Sequence, residues 1–256
     1  QTTKAEAEGL WNLFEPFQGY GFNKAHAASY GRVAYQTAYL KAHYPTAYMS
    51  AVLTADAGNI DEVAITISEC KRMAIEVLPP DVNESFGDFS VVTADKIEDG
   101  KEKIRFGLHS IKNFGVGVGD AIITERKANG PYTTFEEFLS RVTDKNLNKK
   151  ALEALIQAGA LDRFGERGVM LTNIEEILSY HRHVSTDTGG QDSLFGGMTS
   201  TLPTLRMVNA PPATREEKLG WEKELLGLYI SGHPLDAFKD FFTSTKKSLK
   251  GYRSGN

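Results

Sequence analysis

"IKNFGVGVGDAII", residues 111–123, is the stretch on which the reading of this chain turns. Gly115-Val116-Gly117 is followed, three residues on, by Ala121, with apolar residues at helical spacing on both sides. That pattern predicts two short amphipathic helices joined by a glycine turn, a helix-hairpin-helix. Glycines admit positive φ and let a phosphate come close to the backbone. The amides of Val116, Gly117, Val118 and Gly119 would then face outward at the start of the second helix, an anion site made of backbone donors and the helix dipole. Lys112, Arg126 and Lys127 would add side-chain charge, and contacts of this kind grip a DNA backbone without reading bases. Asp120 sits where it would either repel a phosphate or cap the helix. The other reading of the same residues is a plain helix–turn–helix whose glycines close a tight turn. "LIQAGALDRFG", residues 155–165, resembles a degenerate second hairpin.

Working outward, the predicted elements are mostly helical. Residues 4–15 and 24–43 read as helices, the second ending before Pro45. "TAYMSAVLTADAGNI" and "IDEVAITISECKRMAIEV" follow as two more, divided near Gly58. "LPPDVNESFGDF" is excluded from helix by its proline pair and turn formers. "DFSVV" and "EKIRFGL" bracket the turn-rich "DKIEDGK" and predict a small β-hairpin. Beyond it come short helices broken by glycines: "GLHSIKNFG", "GDAIITERKANG", "TTFEEFLSRV", "KKALEALIQAG" and "VMLTNIEEILSY". Periodicity is lost between residues 184 and 214, read as a linker, before a last helix, "REEKLGWEKELLGLYI", that stops at "SGHP". The expected fold class is mainly α, with a small β-hairpin between two helical regions.

Composition bounds the function. With 256 residues, 41% of them hydrophobic and 24% charged, the chain has the make-up of a globular protein with a real core. There is no run of 18 apolar residues and no signal-peptide pattern, so a cytoplasmic setting and no membrane partner are expected. The single cysteine, Cys70, excludes an internal disulfide. The net charge is −4, yet residues 101–150 hold ten Lys/Arg against six Asp/Glu, a local excess that fits an anionic partner. Between Phe17 and Ala55 there is no acid at all, while Lys24, Arg32, Lys41, His26 and His43 alternate with Tyr30, Tyr35, Tyr39 and Tyr44. Cations with aromatic plates suit a polyanion or nucleotide; an alanine-rich buried helix with core tyrosines is the other reading. No Asp-x-Asp, P-loop, Gly-x-Ser-x-Gly or His-Glu-x-x-His pattern occurs, so no catalytic residue and no metal ligand is assigned. Within the linker, "TDTGGQDSLFGGMTST" (186–201) sets Leu194 and Phe195 side by side among small polar residues. An apolar pair there must be covered, by a partner or by the protein's own core.

Taken together, "GFNKAHAASYGRVAYQTAYLKAHYP", "LPPDVNES", "IRFGLHSIKNFGVGVGDAI", "FEEFLSRV", "LEALIQAGALDRFG" and "LGLYISGHPLD" stand in the order found in the alpha subunits of bacterial DNA polymerase III, the family C replicative DNA polymerases. The resemblance runs from the first helix to about Asp236. It implies a DNA-directed DNA polymerase (a nucleotidyltransferase of DNA replication) as the whole protein, with the palm, its carboxylates and their Mg2+ lying outside this stretch. The implied division is 1–80 for the end of the fingers, 81–183 for the β-hairpin and helix-hairpin-helix domain, 184–214 for a linker, and 215–256 for a helix leading toward an OB-fold. Asn23, Lys24 and His26 match the family's fingers, which implies proximity to the incoming nucleotide. Gln191, Asp192, Ser193, Leu194 and Phe195 match the Gln-x-x-Leu/Met-Phe peptide with which the family docks on the sliding clamp. The implied partners are duplex DNA, bound without sequence preference, the sliding clamp and other replisome subunits. This stretch by itself is expected to hold no cofactor and to add no nucleotides. Two other readings are a free-standing helix-hairpin-helix accessory protein and a helical protein–protein adaptor.

Overall fold

The computed structural model describes residues 3–18, 24–96, 98–187 and 204–238. The chain divides into two compact units, 1–48 and 49–256. In the first, helices α1 (Lys4–Gln18) and α2 (Lys24–His43) match the predicted segments. α1 opens on a reciprocal cap: Thr3 N donates to Glu6 Oε2 (2.7 Å) and Glu6 N to Thr3 Oγ1 (3.4 Å). Leu10, Trp11 and Leu13 of α1 are exposed. α2 stops at His43, and Pro45 is the first residue of α3 (Pro45–Ala55), where its missing N–H has no partner to lose.

The second unit holds the core. α4 (Ile60–Arg72) is capped by Asn59, whose side chain accepts from Asp61 N and Glu62 N. The sequence predicts that this helix runs on to Val77, but it ends at Arg72. Ala74 takes a positive φ of 59°, Ile75 N donates to Cys70 O and Ala74 N to Lys71 O, which closes the helix end in a Schellman turn. The freed residues then form β1 (Val77–Leu78), a strand the sequence reading does not predict. The expected hairpin is present: β2 (Ser90–Val92) pairs antiparallel with β3 (Lys103–Arg105), Val91 opposite Ile104. β1 adds to the far side of β3 in parallel, Val77 opposite Ile104, giving the order β1-β3-β2. The fold is therefore mainly helical with a small sheet.

Of the helices that follow, α5 (Val116–Asn129) packs on the 3-10 turn Leu108–Ser110, α6 (Phe135–Arg141) on α9 (Ile174–Asp187), and α7 (Lys149–Gln157) on α8 (Arg167–Thr172), α9 and α10 (Arg215–Leu225). Thr134, Asn148 and Thr214 accept from backbone N–H groups at the starts of α6, α7 and α10, each cap stabilising by about 1 kcal/mol. Ile104, Leu108, Ile122, Phe138, Leu139, Leu152 and Leu155 are fully buried. Tyr132 and Phe138 meet edge to face at 5.2 Å. Residues 204–214, in the predicted linker, lie against α8 and α9 as an extended strap: Val208 N donates to Asn173 Oδ1 (2.7 Å) and Asn173 Nδ2 to Val208 O (2.9 Å). The Gln191–Phe195 peptide lies outside the described residues.

The proline-rich loop 79–85 holds the helices in place. Ser85 Oγ donates to Phe106 O (2.7 Å), Asn83 exchanges hydrogen bonds with the backbone of Tyr132, and Val82 N donates to Ala160 O (3.0 Å). Its turn residues satisfy the backbone of three different elements, so its lack of helical character is structural necessity.

Candidate nucleic-acid interface

The hairpin is tighter than its sequence predicts. "GLHSIKNFG" forms no helix beyond one 3-10 turn, Leu108–Ser110. Lys112 N donates to Leu225 O (3.0 Å), which ties this turn to the end of α10. The left-handed residue is Asn113, with φ of 66°. None of Gly115, Gly117 and Gly119 has a positive φ, so the expected reason for those glycines does not hold, and of the three Gly119 alone has a steric one. Asn tolerates this conformation through its short polar side chain.

Each of the three positions has its own environment. Gly115 is the N-cap of α5, extended at φ −79° and ψ 136°, and gives no side-chain cap. Gly119 N donates to Gly115 O (3.2 Å), the first bond of the helix. The first-turn amides of Val116, Gly117 and Val118 therefore have no intrahelical acceptor. Gly119 is compressed: a Cβ there would lie 2.9 Å from the His109 ring. Gly117 is exposed, with nothing within 4 Å of where a Cβ would stand. Packing does not require glycine at 117, where Ala would lower the helix free energy by up to about 1 kcal/mol. What its absence of side chain leaves is open approach to the amides. Val116 is exposed, and Val118 is buried and anchors the turn.

The expected cations divide. Lys112 is exposed beside the hairpin. Arg126 is buried and donates to Val82 O (2.7 Å) and Ser85 O (2.9 Å). Burial lowers its pKa, with Tyr132, Asp81 and Glu84 opposing. Its charge holds the loop 79–85 and is turned away from solvent, which removes it from the phosphate-binding set. Lys127 is exposed but stands in the last turn of α5, about 16 Å along the axis from Val116. Neither lies beside the free amides, as the sequence reading has them. Asp120 is exposed just past the first turn of α5, and its Oδ1 is 3.1 Å from His109 Nε2, though without hydrogen-bond geometry.

The second junction, 155–172, is built otherwise. Gly159 has φ of 83° and ends α7 in a Schellman turn, Ala160 N donating to Leu155 O. α8 begins on Glu166, whose carboxylate accepts from Gly168 N (2.6 Å), Val169 N (3.2 Å) and Ala213 N (3.0 Å) and pairs with Lys218 (2.8 Å). Burial would raise this carboxyl's pKa, but Lys218 and those three amides outweigh it and hold it down to about 2. A Cβ on Gly168 would lie 2.6 Å from Ala213 N and 2.8 Å from Pro211 O. This helix start is filled and covered. Sequence reasoning missed the role of Glu166, although a carboxylate two and three residues before the helical amides was visible.

Of the fingers-like residues, Asn23 lies outside the described residues, Lys24 is the first residue of α2, and His26 is exposed with its ring tilted against that of Tyr30, centroids 4.2 Å apart. Tyr30, Tyr35, Tyr39 and Tyr44 are exposed, with Tyr39 tilted against His43, centroids 4.2 Å apart. The reading of α2 as a buried helix with core tyrosines does not hold. Among the described residues, no three His, Cys, Asp or Glu side chains converge as a metal site, and no helix is long and apolar enough to cross a membrane.

Residues 74–169 match the family model for the helix-hairpin-helix motif. The chain is 44% identical over 252 residues to the DNA polymerase III subunit alpha of Borreliella burgdorferi, covering 94% of this chain and 21% of that protein. The subunits of Campylobacter jejuni (40% over 241 residues, 92% and 20%) and Thermus aquaticus (42% over 230 residues, 90% and 18%) agree with it. The chain thus spans about a fifth of the length of the curated relatives it matches. By sequence the chain is similar, over nearly its whole length, to one segment of DNA polymerase III alpha subunits, and that segment contains a helix-hairpin-helix.

Proposed function

We propose that this chain holds the backbone of duplex DNA through the first turn of α5, without reading bases, as part of a replicative polymerase. The observation that carries this is the uncapped amide turn of Val116, Gly117 and Val118 beneath an unobstructed glycine, inside a matched helix-hairpin-helix segment. Backbone donors at a helix start suit a phosphate oxygen, and Lys112 adds a mobile charge. Template-directed DNA synthesis, with its Mg2+ and palm carboxylates, belongs on this reading to the whole protein in the cytoplasm; the present stretch alone adds no nucleotides. Asn23, Lys24 and His26 would stand near the incoming nucleotide.

The same reading gives the Gln191–Phe195 peptide to the sliding clamp. Leu194 and Phe195 would fill an apolar pocket, each contributing roughly 1.5–3 kcal/mol before the cost of ordering the segment, while Gln191 would orient it and Asp192 and Ser193 would space the anchors. Support comes from the sequence pattern and its position after the helix-hairpin-helix region.

Fluorescence anisotropy with two unrelated duplexes of equal length, at about 50 and 200 mM salt, tests the first claim. Equal affinities that fall steeply with salt are expected. Strong preference for one sequence, or no binding at low salt, would defeat it. Surface plasmon resonance against a bacterial sliding clamp tests the second, with loss of binding expected for the double change Leu194→Ala, Phe195→Ala.

A further inference from the structure

The far end of α5 carries a feature that duplex gripping leaves unused. A groove of about 560 Å3 runs between the end of α5 and β2, lined among others by Phe86, Val91, Lys96, Lys127 and Pro131. Phe86 is 47% exposed at its rim. The ring's backbone is rigidly held: Ser85 is fully buried and bonded to Phe106 O, and Phe86 O accepts from Leu108 N (2.9 Å). Lys127 Nζ stands 5.4 Å from the ring centroid and Arg126 Cζ 5.5 Å.

The charge of the groove is uncompensated. Arg126 is committed to two backbone carbonyls. Glu84, the acid in the lining, is engaged by Arg105 and by Arg163 (3.6 Å). Lys96 and Lys127 are exposed, and neither has a carboxylate at ion-pairing distance among the described residues. A half-exposed aromatic plate with Lys127 over its ring and Lys96 in the same groove matches a ligand that is at once flat and anionic. Stacking on Phe86 requires a base face that is not already covered by its neighbours, which a duplex interior does not offer.

We propose that this groove binds an unpaired nucleotide of a nucleic-acid strand, its base stacked on Phe86 and its phosphates met by Lys96 and Lys127. The proposal rests on the nucleic-acid reading above and adds to it a single-strand site at the opposite end of the same helix. The helical rise from Val116 to Lys127 is about 16 Å, close to five base-pair rises of about 3.4 Å. A duplex held at one end and an overhang at the other are compatible with that spacing.

The test is fluorescence anisotropy of the full chain with three labelled DNAs: a blunt duplex, a single strand, and a duplex with a 5′ overhang. Phe86→Ala is expected to weaken the single strand and the overhang substrate about five- to a hundredfold, leaving the blunt duplex unchanged. Phe86→Trp is expected to restore binding, and Lys127→Gln to weaken the same two substrates and flatten their salt dependence. Wild-type affinity of Phe86→Ala for the single strand would overturn the proposal, as would an equal loss on all three substrates. Gly117→Glu in the same panel separates the two readings: it is expected to weaken the blunt duplex and the duplex part of the overhang substrate, and to leave the single strand unchanged. If it leaves the duplex untouched, the hairpin reading fails on its own arm while the Phe86 result stands.

Discussion

The junctions at residues 111–119 and 155–168 begin from similar material, a glycine-bearing turn that feeds a helix, and present different surfaces. At α5 the first turn is left without a side-chain cap, and Gly117 adds nothing above it. At α8 the Glu166 carboxylate takes two helix amides and a third from Ala213, and the strap presses on Gly168. A helix start binds an external anion only where the chain has not supplied its own. One junction is thus open to an external anion, and the other is spent on holding α8 and the strap together.

The largest expected effect lies in the buried support of the open junction. Arg126→Leu should lower stability by about 3 kcal/mol, because it leaves the Val82 and Ser85 carbonyls unsatisfied. Urea denaturation measures this, and duplex affinity under folding conditions should stay near wild type. An unchanged midpoint with lost DNA binding would reverse the assignment and return Arg126 to the interface.

Glu166→Gln comes next, with an expected loss of about 2 kcal/mol at neutral pH. The pH dependence sharpens the contrast. With a folded pKa of about 2, below its unfolded value, the carboxylate contributes stability above the ordinary carboxylate range and loses it as pH falls from about 4.5 toward 2. Wild type should therefore lose more stability than Glu166→Gln across that window, and parallel curves would break the account of the second junction.

How much of this was legible in the sequence follows the same divide. Local signals carried well: the helix from Lys24 to His43 and the β2–β3 hairpin around its turn. Non-local pairing did not, because nothing within residues 73–78 specifies that Val77 will lie beside Ile104. The hairpin glycines were recognised for a conformation that Asn113 adopts instead, since an αL asparagine has no signature distinct from any other. Arg126 was counted as a phosphate contact because sequence shows a charge and not the direction in which burial turns it.

Smaller effects probe single backbone positions. Gly117→Ala should stabilise α5 by roughly 0.5–1 kcal/mol while weakening duplex binding, opposite signs that a purely structural turn would not give. Ala74→Gly should stabilise by roughly 0.5–1 kcal/mol through relief of its φ of 59°, read as a rise in thermal midpoint with no change in DNA affinity.

The most direct measurement is duplex affinity of Gly117→Glu beside the wild-type chain, at low salt, with a thermal melt of each. A carboxylate in the first turn suits the helix dipole and repels a phosphate. The account predicts an undiminished melting temperature with affinity reduced at least tenfold. Undiminished affinity in a stably folded variant would contradict it, and the open start of α5 would then be a turn and nothing more.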